Sequence, residues 1–77
     1  MNNIIHQYFK RVFEDQIILV QVDPENFKGL ELIVYPDGKV KKTKRIFDEE
    51  IFADLEEDEF NKASALEFNL YLKGLAK

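Results

Sequence analysis

A tight turn flanked by two arms of β-forming residues constrains this chain more than any other feature. In residues 30–47, LELIVYPDGKVKKTKRIF, Pro36 favours the first corner of a type I turn, and Gly38 suits the left-handed conformation that follows it. The segment therefore predicts a β-hairpin in which Val34 faces Val40. The face of the first arm that we assign to the core carries Leu30, Leu32 and Val34.

The second arm of this hairpin, VKKTKRIF, is polar on both faces in its middle, which is typical of an edge strand whose lysines repel other edges. Upstream, residues 16–22, QIILVQV, predict a strand with apolar side chains on both faces. Asp23 and Pro24 end that strand because both favour a turn. Together these segments predict a three-stranded antiparallel meander in chain order.

The N-terminal segment, from Asn2 or Asn3 to about Phe13, has apolar residues at spacings of three and four, which predicts an amphipathic helix. Glu14 and Asp15 are unfavourable at a helix C-terminus, so we expect the helix to end there. The apolar stripe comprises Ile4, Ile5, Tyr8, Phe9, Val12 and Phe13.

After the hairpin the period of the apolar pattern changes to that of a helix. Asp48 is a plausible N-cap, and the acidic residues that follow it favour a helix N-terminus, so we predict a helix over about 49–58. Its C-terminus carries acidic residues at the negative end of the helix dipole, so we expect fraying near residues 57–59. Its apolar stripe is Phe47, Ile51, Phe52 and Leu55.

Residues 64–75 fit two structures. Leu66, Phe68 and Leu70 belong to an alternating apolar pattern that is typical of a half-buried strand. Ser64 and Glu67 have the spacing of a capping box, which favours a helix, and we adopt the helix with the strand as its alternative. In the helix, Leu66 and Leu70 lie on the side opposite Phe68, so they require a second covering partner.

The fold class predicted from these elements is α+β: an N-terminal helix, a three-stranded antiparallel meander sheet and two C-terminal helices packed on one face of the sheet. The alternative makes the last segment a fourth strand. With 77 residues, the chain has the length of a single small globular domain, 1–77.

Composition excludes several classes of function. The chain has no cysteine, which excludes disulfides and thiolate chemistry and favours a reducing, cytoplasmic location. It has neither a run of apolar residues long enough to span a membrane nor a signal peptide, so we expect no membrane association. The net charge of −4 argues against general binding to nucleic acid or anionic lipid.

The sequence contains no motif that predicts an enzyme, a cofactor or a metal site. His6 is the only histidine, and it lies on the polar side of the predicted first helix without evident partners. An enzymatic hypothesis would require His6 to lie beside two carboxylates in a cleft. The acidic stretch of residues 48–59 lacks the spacing of a calcium loop, and a solvated helix face explains it better.

Two functional hypotheses remain. The first is a noncatalytic protein–protein interaction module that binds an unidentified protein or itself, as a homodimer through the C-terminal segment at Leu66 and Leu70. The alternative is a nucleic-acid-binding hairpin that uses the basic arm of residues 39–45. The negative net charge and the division of the arm's cations between two faces make it the less favoured hypothesis. Its candidate contacts are Lys39, Lys41, Lys42, Lys44 and Arg45.

Overall fold

A computed structural model describes residues 5–74, which form one five-stranded antiparallel sheet and two helices. The strands lie in the order β4-β3-β2-β1-β5 across the sheet. In chain order the elements are β1 (Gln7–Val12), β2 (Ile17–Val22), β3 (Lys28–Val34), β4 (Val40–Ile46), α1 (Ile51–Glu57), β5 (Asn61–Lys62) and α2 (Ala65–Leu72).

The predicted N-terminal helix is wrong, because residues 7–12 form strand β1 between β2 and β5. Tyr8 and Phe9 are neighbours on the chain but point to opposite faces of the sheet, where each meets a different apolar cluster. A strand covered on both faces has apolar residues at adjacent positions. When such adjacent pairs recur every four residues, they have the same spacing as the apolar stripe of a helix. The proposed caps Asn2 and Asn3 lie outside the described residues.

The predicted hairpin is confirmed as β3 and β4, with Val34 opposite Val40. The Tyr35 N–H donates to the Lys39 carbonyl over 2.9 Å, and Gly38 has a φ of 89°, as the turn chemistry predicts. The meander of three strands is also present as β2-β3-β4, but β1 and β5 extend it to five.

The two helices cover opposite faces of the sheet, which corrects the prediction that they share one face. Leu55 of α1 packs with Phe9, Val20 and Val22, whereas Phe68 of α2 packs with a second group. That second group contains Leu19 and Leu32. Because Leu19 and Val20 alternate along β2, the clusters lie on the two sides of one sheet. The α1 face and the α2 face are named accordingly below.

The acidic end of α1 does not fray, contrary to the prediction. The Phe60 N–H donates to the Leu55 carbonyl over 2.9 Å, and the Glu59 N–H donates to the Glu56 carbonyl over 3.1 Å. Glu59 has a φ of 63°, so residues 55–60 form a Schellman motif with a non-glycine residue in its left-handed position. This ending turns the chain toward β5, which pairs with β1 at the edge of the sheet.

Residues 65–72 are helical, so the helix rather than the alternative fourth strand is correct. The Ser64 hydroxyl accepts a hydrogen bond from the Glu67 N–H over 3.0 Å, which satisfies one free amide of the first turn. The Lys10 ammonium donates to the Glu67 carboxylate over 2.6 Å, and this ion pair joins α2 to β1. Phe68 is fully buried and lies 5.2 Å from the Tyr8 ring, so it anchors α2 on the sheet.

Candidate functional site

The outer edge of β4 is the most extended set of unpaired backbone groups in the described part of the chain. The Tyr35 and Phe47 amides donate to the carbonyls of Lys39 and Phe27, which sets the phase of the β3–β4 ladder. In an antiparallel ladder the hydrogen-bonded pairs recur at every second residue. The N–H and C=O groups that point away from β3 therefore belong to Val40, Lys42, Lys44 and Ile46.

The cations of the basic arm divide between the two faces of this edge, as the sequence predicted. Lys42 is paired with Leu32 and points to the α2 face with Lys44, whereas Lys41 is paired with Ile33 and points to the α1 face with Arg45. Two of the predicted residues have local carboxylates: Arg45 lies 3.5 Å from Glu31, and Lys39 lies 3.9 Å from Asp37. Within residues 5–74, the ammonium groups of Lys41, Lys42 and Lys44 form no such pair.

A groove of about 550 Å³ lies on the α2 face at the Ile46 end of β4. Ile46 is 78% exposed at its rim. His6 lies just before β1 instead of on a helix, and its ring is 6.4 Å from the Tyr8 ring. The groove is lined in part by His6, Gln21, Leu30, Lys44 and Ile46.

One carboxylate, that of Asp23, shares this groove with His6. Asp23 is 4% exposed, and its side chain accepts the Glu25 N–H over 2.8 Å, so the carboxylate holds the turn between β2 and β3. The enzymatic hypothesis required two carboxylates beside His6, and among the lining residues that the structure describes there is one. No group of three or more metal-ligating side chains occurs within residues 5–74.

The acidic stretch of residues 48–59 is spread over α1 and its two ends. At the start, the Asp48 carboxylate accepts the Glu50 N–H over 3.0 Å. At the end, the Arg11 guanidinium donates to the Asp58 carbonyl over 2.7 Å and lies 3.5 Å from the Glu59 carboxylate. These carboxylates are exposed, in agreement with a solvated face.

The outer side of α2 carries the two leucines predicted as an interface. Leu66 is 71% exposed and Leu70 is 37% exposed, while Phe68 between them is fully buried. Residues four apart on a helix are neighbours, so the two leucines form one apolar ridge, which we call the α2 ridge. The structure thus leaves two candidate contact surfaces, the α2 ridge and the β4 edge.

Sequence reasoning missed the groove and the strand β1 that supports one side of it. The groove joins residues that precede β1 with residues of β2, β3 and β4, so no local motif marks it. A period-two reading of Gln7–Val12 would have placed His6 and Tyr8 on one face of a strand, which is the signal that was available.

Neither described helix has the length or the apolar run that a membrane crossing requires. Comparisons with family models, curated proteins and solved structures find no match to this chain.

Proposed function

We propose that this protein is a noncatalytic protein-interaction module that self-associates through the α2 ridge. The observation that carries the proposal is the exposure of Leu66 and Leu70, side by side, on a helix whose other side is anchored by Phe68. An exposed apolar ridge on a rigid element is a typical site of contact with another protein. A second copy is the occupant with a matching ridge, since a two-fold axis beside α2 would bring the ridge of one copy against the same ridge of the other.

The size of the ridge sets the strength of the association. Eight helical residues extend over about 12 Å, which supplies only part of the ~800 Å² per partner of a standard interface. The surfaces beside the helix must contribute the remainder, so we expect a reversible dimer instead of an obligate one. The proposed dimer leaves the β4 edge open, because α2 and the outer side of β4 face different directions.

The noncatalytic part of the proposal is supported by how the titratable groups are used. Asp23 is engaged in its own turn, and His6 has one acidic neighbour among the described lining residues of the groove. A general base needs an orienting partner and a proton donor within reach.

Sedimentation equilibrium tests the self-association. We expect the mass to rise from 9.1 kDa toward twice that value as the concentration rises through the micromolar range. The double variant Leu66→Lys, Leu70→Lys should remain monomeric, because like charges would meet across the axis. Ile46→Lys is the matched control, since it also replaces an exposed apolar side chain, and it should dimerise like the parent. A parent chain that stays monomeric up to about 1 mM contradicts the proposal, since contacts weaker than that contribute less than about 4 kcal/mol.

A further inference from the structure

The edge of β4 has a second use that is independent of the α2 ridge. We propose that β4 binds an extended acidic segment of another protein, which adds to the sheet as a further strand. Strand addition to an open edge combines main-chain hydrogen bonds with side-chain contacts on both faces.

The backbone of β4 has the groups that such a segment needs. Val40, Lys42, Lys44 and Ile46 each direct one N–H and one C=O away from β3. These groups recur at every second residue along a seven-residue strand, which is the spacing of a ladder. Nothing within residues 5–74 pairs with this side of β4.

The charges select an acidic occupant. An added strand places its side chains opposite Lys42 and Lys44 on one face, and beside Lys41 and Arg45 on the other. Opposite charges at facing positions stabilise a strand pair by ~0.2–1 kcal/mol each, and like charges destabilise it. Acidic residues on both faces of the incoming strand therefore meet cations at four of the seven β4 positions, Lys41, Lys42, Lys44 and Arg45.

The same charges exclude a second copy of this sheet. Two β4 edges would bring lysines against lysines, and the other edge, β5, has two residues of which one is Lys62. The chain's own acidic residues are not an available strand, because α1 is helical and is anchored by the buried Leu55. A segment from a different protein is the occupant that fits.

The groove at the Ile46 end gives the occupant a direction and an anchor. Ile46 and Leu30 are apolar and lie on the α2 face of the groove, with Lys44 beside them. A partner segment with an apolar residue at this end can bury it against Ile46 while its acidic residues lie along the lysines. The inferred motif is thus an acidic β-strand with an apolar side chain at the end nearest Ile46.

An acidic peptide is favoured over nucleic acid for two reasons. Nucleic acid has no backbone amides to complete the ladder, and the division of the lysines between two faces gives no continuous row for phosphates. Tyr35 is the one aromatic on the hairpin tip, so the described edge has no row of stacking residues.

The experiment uses the full chain and a fluorescent peptide of about eight residues, rich in glutamate and valine, with an isoleucine at one end. Binding is measured by anisotropy at about 50 mM salt, and amide exchange is followed by NMR. We expect the amides of Lys42, Lys44 and Ile46 to become protected, while those of Lys41 and Thr43 are already protected in the free protein. The variant Lys42→Glu, Lys44→Glu should weaken binding at least about tenfold.

Two controls decide between strand addition and simple charge attraction. N-methylation of the peptide amides that would face β4 should abolish binding, whereas N-methylation of the opposite amides should leave it unchanged. A single-stranded oligonucleotide of equal charge should bind more weakly and give no new protection. Equal binding of both methylated peptides, equal binding of the oligonucleotide, or no peptide binding at about 50 mM salt would each overturn the proposal.

Discussion

Gly29 gives the sharpest test of how closely β2 and β3 pack. A Cβ atom at this position would lie 1.7 Å from the Gln21 carbonyl oxygen, whereas ordinary contact begins at 3.4 Å. Gly29→Ala must therefore move the two backbones apart by about 1.7 Å, the difference of these two distances. The neighbouring bond from the Asp23 N–H to the Lys28 carbonyl, now 2.8 Å, would exceed hydrogen-bond length.

The cost follows from what is lost around Gly29. Two ladder bonds at ~1 kcal/mol each, together with disturbed packing of the fully buried Val22, amount to about 3 kcal/mol. Urea unfolding measures this directly, and with a slope of about 1.5 kcal/mol/M the midpoint should fall by about 2 M. Gly38→Ala is the control. A Cβ atom there meets no atom within 4 Å, but the φ of 89° is strained for alanine, so the free energy of unfolding should fall by about 1 kcal/mol. An equal or smaller shift for Gly29→Ala than for Gly38→Ala would show that β2 and β3 do not pack this closely at Gly29.

Two further substitutions test the helix ends. Glu59→Gly should raise the free energy of unfolding by about 0.5–1 kcal/mol, because glycine relieves the left-handed position of the Schellman motif while losing only an exposed contact with Arg11; a loss of stability in urea would contradict the assigned motif. Ser64→Ala should lower it by about 1 kcal/mol through loss of the cap on Glu67, whereas Ser64→Asp should retain most of the stability; equal stability of all three chains would argue against the cap.

Local chemistry explains the elements that the sequence predicted correctly. The turn at Pro36 and Gly38 fixes its own geometry, so the β3–β4 register could be read without knowledge of the remaining chain. The cap at Ser64 likewise identified α2, and the helical spacing of Leu66 and Leu70 identified its exposed side. The edge position of β4 followed from its lysines.

The wrong predictions concern segments whose structure depends on distant partners. Gln7–Val12 is a strand because it lies between β2 and β5 and is covered on both faces, and its apolar pairs alone suit a helix equally well. The two-residue strand β5 has polar residues and carries no local signal. The placement of α1 and α2 on opposite faces depends on both of these strands, so it could not follow from a three-stranded sheet.

The candidate sites also differ in whether the sequence alone could predict them. Exposure at the α2 ridge and charge at β4 are properties of single elements, and both could be predicted. The groove beside Ile46 depends on tertiary structure, because it needs β1 to bring His6 next to Gln21 and Leu30. The charge that protects the edge against self-pairing is also the charge that selects an acidic segment.

Amide hydrogen exchange across β4 in the free protein tests the open edge most directly. The N–H groups of Lys41, Thr43 and Arg45 donate to β3 and should exchange slowly, while those of Val40, Lys42, Lys44 and Ile46 should exchange near the rates of unstructured amides. This alternation at every second residue is the predicted result. Uniform protection along the strand would mean that something already covers the edge, so β4 would not be open to an added strand.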